Sequence, residues 1–177
     1  MPIIVNEGGG QKVYTPHPEG TFAATCVDAL DLGWKESPWG LKYRVGLVFY
    51  CGKSEKNEEG ESFPLTVASF FNASFNEKAT LRKFVSQWKG SKFKLPNNDL
   101  EQLIGDDALI TVEHNEHNGK TYANITSQMG LPDGTSAPGI PEDFVRLCNR
   151  EDWEGPTPHP EMSKPQEKFD EKLPWED

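Results

Sequence analysis

Ser74–Gly90, SFNEKATLRKFVSQWKG, is the stretch that decides how the rest of the chain is read. Leu81, Phe84, Val85 and Trp88 recur at i, i+3, i+4 and i+7, while Lys78, Arg82, Lys83, Gln87 and Lys89 fall elsewhere on the helical wheel. The spacing predicts an amphipathic helix. Ser74 and Glu77 have the spacing of a capping box, and Gly90 stands where a helix stops.

Outward from this helix the period changes from 3.6 to 2. Three strands are expected before it, at Thr21–Leu32, Leu41–Cys51 and Ser62–Phe71, and two after it, at Ala108–His114 and Lys120–Ser127. Leu41, Tyr43, Val45, Leu47, Phe49 and Cys51 share one face of the second strand; Lys42, Arg44, Gly46, Val48 and Tyr50 share the other. Gly46 in mid-strand suggests a bulge or bend. Asn118-Gly119 marks a tight hairpin between the last two strands. Asn98 or Asp99 can cap a short helix over DLEQLIG. A β-β-β-α-β-β order is that of the OB-fold, a five-stranded Greek-key barrel with one helix between strands three and four.

The flanks read differently. Residues 1–19, with GGG and TPHPEG, form an expected flexible arm; 20–132 form the OB-fold domain; 133–177 form a Pro-rich acidic tail, with one or two helical turns at Glu142–Arg150 and disorder expected beyond. The formal net charge is −10. Residues 1–135 hold 17 acidic against 13 basic side chains and residues 136–177 hold 11 against 5, so most of the excess lies near the C-terminus. The start MPIIVNEGGG lacks a signal-peptide pattern, no apolar run is long enough to span a membrane, and three scattered cysteines suit reduced thiols. A cytoplasmic protein without membrane contact is expected.

Trp34, Lys35 and Trp39 in the loop Gly33–Gly40, Lys42, Arg44 and Tyr50 on the second strand, and Lys120 and Tyr122 on the fifth interleave cations with flat aromatics. Single strands are held by that combination, cations on phosphates and rings under bases. The plainer alternative is core filling by the rings and a merely soluble surface. Lys78, Arg82, Lys83, Lys89, Lys92 and Lys94 are the densest basic region and read as a solvated helix face, with an extended phosphate track as the alternative. His114 and His117 lack the partners of a metal site. Asp106-Asp107 and Glu58-Glu59 look like loop acids, and no GxxxxGK[ST], GxSxG or HExxH occurs. No enzyme, cofactor or metal is expected. In FDEKLPWED at the C-terminus, Phe169, Leu173 and Trp175 stand among acids, the form of a partner-recognition motif.

The segments KATLRKFVSQWKG, DLEQLIGDDALITVEH and NGKTYANI resemble phage- and prophage-encoded OB-fold single-stranded DNA-binding proteins of replication modules. The resemblance spans about Gly20–Pro132. It implies a non-enzymatic protein of phage replication or recombination in the host cytoplasm. By the same resemblance the tail is similar to those that recruit replication and recombination proteins. Those tails typically end on phenylalanine, whereas Glu176 and Asp177 follow Trp175 here. The competing class is a protein–protein adaptor or structural phage component that keeps the barrel without the groove. Oligomeric state, including a homodimer, stays open at this level.

Overall fold

The computed structural model describes residues 16–56 and 59–160. Its strands are β1 (Gly20–Ser37), β2 (Gly40–Lys56), β3 (Ser62–Asn72), β4 (Asp107–His117) and β5 (Lys120–Met129), with one α-helix, α1 (Thr80–Lys89), between β3 and β4. All neighbours pair antiparallel in one sheet of order β3-β2-β1-β4-β5. Three strands meander and the fourth returns beside the first, which is the Greek-key order. The sheet is not closed as the expected barrel. β3 and β5 are its two edges, and a cleft of about 400 Å³ lies between them.

Alternation along β2 divides the sheet into two faces. Val45, Leu47 and Phe49 enter the main core with Ala24 and Cys26 of β1, Val67 and Phe71 of β3, and Ile110 and Val112 of β4. α1 lies on this face because its apolar stripe, Leu81, Phe84, Val85 and Trp88, is buried there. Phe84 meets the ring of Phe71 at 4.9 Å, and Trp88 meets that of Phe49 at 5.2 Å. The Trp88 indole donates to the Asp107 carbonyl at 2.8 Å, so the helix is fixed to the start of β4 by a hydrogen bond as well as by packing.

Several boundaries differ from expectation. The helix has ten residues and begins at Thr80, not near Ser74. The capping box does not form: Ala79 is the N-cap, and the Ser74 hydroxyl instead accepts from the Asn76 amide at 3.3 Å in a preceding turn. β1 continues through the supposed loop to Ser37, because Gly33 (φ 74) sits at a register shift instead of ending the strand. Gly46 carries no bulge. A Cβ there would lie 3.0 Å from the Phe70 ring and 3.2 Å from Leu30, so the glycine makes room for side chains. Asn118 and Gly119 both take positive φ, 52° and 74°, as a two-residue hairpin of this kind requires.

The second difference is on the opposite face. Val27, Leu30 and Val48 form a smaller apolar cluster, and Phe144 and Leu147 pack over it with Tyr50 and Phe70. Residues 138–159, expected to be tail with one or two helical turns at Glu142–Arg150 and disorder beyond, are a strap that follows β1. The Gly139 amide donates to Thr25 Oγ1 at 3.0 Å, Arg146 and Leu147 engage Asp28, and Thr157 bridges in parallel to Gly33. The edge of β1 beyond its pairing with β4 thus gains a partner: the Trp34 amide donates to the Thr157 carbonyl at 2.9 Å. A Cβ on Gly33 would come within 2.3 Å of the Thr157 backbone, so this close approach depends on glycine. At Glu142–Arg150 the only helical piece is a 3-10 turn, Leu147–Asn149.

At the N-terminal end His17 belongs to the fold and not to an arm. It is buried edge-on against Phe22, ring centroids 5.2 Å apart, and its carbonyl bonds His114 Nε2 at 2.6 Å. No helix among the described residues is long and apolar enough to cross a membrane.

Candidate nucleic-acid interface

The β1–β2 hairpin closes through Pro38-Trp39. Ser37 holds the turn, its hydroxyl donating to the Gly40 carbonyl at 2.7 Å and accepting from the Trp39 amide at 3.2 Å. Gly40 at φ 102 completes the reversal. With no residue opposite it, Trp39 projects from the tip at 87% exposure, the most exposed large hydrophobic among the described residues.

Below the tip, Lys35 and Lys42 are direct cross-strand partners, and Arg44 lies opposite Gly33. Like charges placed opposite one another destabilise a sheet, so this pair is not there for the sheet's sake. Lys35 Nζ donates to Thr157 Oγ1 of the strap at 2.8 Å. Arg44 donates to Asn72 Oδ1 at 3.0 Å across β2–β3. Lys42 is exposed and has no ion pair among the described residues.

Four of the eight expected residues do not join this group, two of them on β1 and β2 themselves. Trp34 points to the other face of the hairpin, where its ring meets Tyr43 at 5.5 Å and His159 at 4.9 Å. The Tyr43 hydroxyl bonds the Asp31 carboxylate, and that bond pushes the phenol up to about 12. Tyr50 has the outward parity expected of it, but it is half-buried against the Val27, Leu30 and Val48 cluster, on which Phe144 and Leu147 also pack.

Lys120 and Tyr122 belong to the β4–β5 hairpin. Lys120 pairs with His117 and is exposed; Tyr122 pairs with Asn115 and is 44% exposed. β4 joins β1 only along Gly20–Thr25, whereas Lys35 lies at the far end of β1, so the two groups occupy separate hairpins. Tyr122 borders the cleft between the sheet edges, with Phe70, Thr66, Asn115, His117 and Asn124. Phe70 lies opposite Gly46 on β3 and borders the same cleft, a residue not among those expected from the sequence.

The remaining sequence candidates are engaged elsewhere. Asp106 pairs with Lys89 at 2.8 Å, and Asp107 accepts from Thr25 Oγ1 at 3.1 Å. Among the described residues no three metal-ligating side chains gather. Phe169, Leu173 and Trp175 lie outside the described residues. The site therefore offers exposed rings beside cations on two hairpins. Comparison with known proteins gives no matching family model and no matching curated sequence.

Proposed function

We propose that this protein binds single-stranded DNA without reading its sequence, in phage replication or recombination, and that its sheet is an open form of the OB-fold. The observation that carries the reading is Trp39, a nearly fully exposed indole on a two-residue turn above Lys35, Lys42 and Arg44. Holding a large apolar ring in water gains nothing for folding, whereas a base stacked on it contributes about 1–3 kcal/mol to binding. Tyr122 and Lys120 repeat the combination on the β4–β5 hairpin. The strand order, with β1 central between β2 and β4 and the helix after β3, supports the fold reading. The acidic C-terminal segment with Phe169, Leu173 and Trp175 serves in this account to recruit replication or recombination proteins.

The strap over the outer face of β1 favours a second reading, a protein–protein adaptor on the same scaffold, because it packs on the apolar cluster that Tyr50 also joins and occupies Lys35. Competition binding separates the two. An account with four phosphate-tracking cations predicts a log–log salt slope of about −3 on oligo-dT, and preference over duplex of equal length. An adaptor shows neither.

A further inference from the structure

The helix side of the molecule carries a second charged surface. From Lys78 to Asn98 the chain holds Lys78, Arg82, Lys83, Lys89, Lys92 and Lys94 and no Asp or Glu. Because α1 turns its apolar stripe into the core, Lys78, Arg82, Lys83, Lys92 and Lys94 stand exposed around it. Lys89 is neutralised by Asp106 at 2.8 Å, and Arg82 donates to the neutral Phe75 carbonyl at 3.2 Å. Lys78, Lys83, Lys92 and Lys94 form no ion pair among the described residues.

This arrangement works against the helix that displays it. Arg82 and Lys83 lie in its opening turns, where the backbone dipole favours anions, and the first turn has no acid. Solubility does not require it either, since the chain already carries a net charge of −10. A local positive field on an acidic protein gathers an anionic partner. Lysines dominate the patch and spread from the helix into the following loop, which suits a succession of separate phosphates better than one planar group demanding an arginine fork. We infer that this face is a second phosphate track, binding the backbone of the same nucleic acid after it leaves the hairpins. The inference rests on the single-strand reading above and extends it: a strand long enough to reach both surfaces gains contacts that a short one lacks.

The test replaces three exposed lysines together, Lys83→Gln, Lys92→Gln and Lys94→Gln, and measures salt dependence of binding to oligo-dT of about 8 and about 40 nucleotides, lengths within and beyond the usual site of one OB-fold. Thermal unfolding is followed in parallel and is expected to match the wild-type chain. The long oligonucleotide should show a slope shallower by about 2, three lysines at about 0.7 each, while the short one keeps its slope. An unchanged slope on the long oligonucleotide overturns the second track. An equal drop on both lengths overturns it too, because the lysines then belong to the first groove. If the wild-type chain binds neither length, the single-strand reading falls, and the inference with it.

Discussion

Arg146 Nε lies 3.0 Å from a carboxylate oxygen of Asp28, whose side chain is 3% exposed, although the two residues stand 118 positions apart. The second Asp28 oxygen accepts from the Leu147 amide at 2.9 Å, and Arg146 continues to Glu101 at 2.9 Å. The Glu101 carboxylate and, after it, Asp28 hold the guanidinium above its ordinary range against the opposing effect of burial. This latch ties the strap to the middle of the sheet.

Removing one partner leaves a buried charge unpaired, which is the costly way to break such a pair. Arg146→Ala should therefore lower stability by about 3 kcal/mol and open residues 138–159 to limited proteolysis. Urea unfolding and a protease time course check both. Loss of stability without faster cleavage there would separate the ion pair from the strap's attachment.

Trp88 and Trp39 should behave oppositely. Trp88→Ala removes the ring packed on Phe49 and the donor to Asp107, and is expected to cost about 3–5 kcal/mol of stability. Trp39→Ala removes a ring at 87% exposure and should leave the unfolding midpoint close to wild type. Denaturant titration of the two variants provides the comparison.

Thiol chemistry reports the packing of β1 and β2. Burial pushes Cys26 and Cys51 each up to about 12, while Cys148 is exposed. A thiol reagent at about pH 8 should modify Cys148 rapidly and Cys26 only after denaturation, since the thiolate is the reactive form. Rapid loss of Cys26 in the native chain would contradict the core described above.

His17 gives the fold a pH dependence. Burial lowers its pKa from 6.5, and its Nε2 has no hydrogen-bond partner among the described residues, so the unfolded chain takes up the proton first as pH falls. The contribution is fully present above 6.5 and is lost below that value as the pH drops toward the lowered folded value. His17→Phe should flatten that part of the stability profile, read from thermal midpoints between about pH 5 and 7.

Much of this architecture is legible in local pattern. Alternation separates Val45, Leu47 and Phe49 from Lys42 and Arg44; the 3.6 period selects the four buried residues of α1; Asn118-Gly119 announces its turn. What escapes is whatever depends on distant partners. Ser74 and Glu77 satisfy a spacing rule, but the chain uses Ser74 for a turn and starts the helix six residues later. The strap carries only Phe144 and Leu147 as apolar anchors among prolines and acids, so its composition resembles disorder. Its order comes from Asp28, Thr25 and Gly33, which no window around residue 146 contains. The same blindness explains Tyr50, outward by parity yet half-buried in the apolar cluster on which the strap packs.

The central claim is that single-stranded DNA stacks on the β1–β2 hairpin. Equilibrium titration of the wild-type chain and of Trp39→Ala with oligo-dT, at low salt and followed by anisotropy of a labelled strand, tests it most directly. The account predicts binding by the wild-type chain and a loss of about 1–3 kcal/mol, roughly 5- to 150-fold in affinity, for the variant. Equal affinity for the two proteins, or no binding by either, would contradict it.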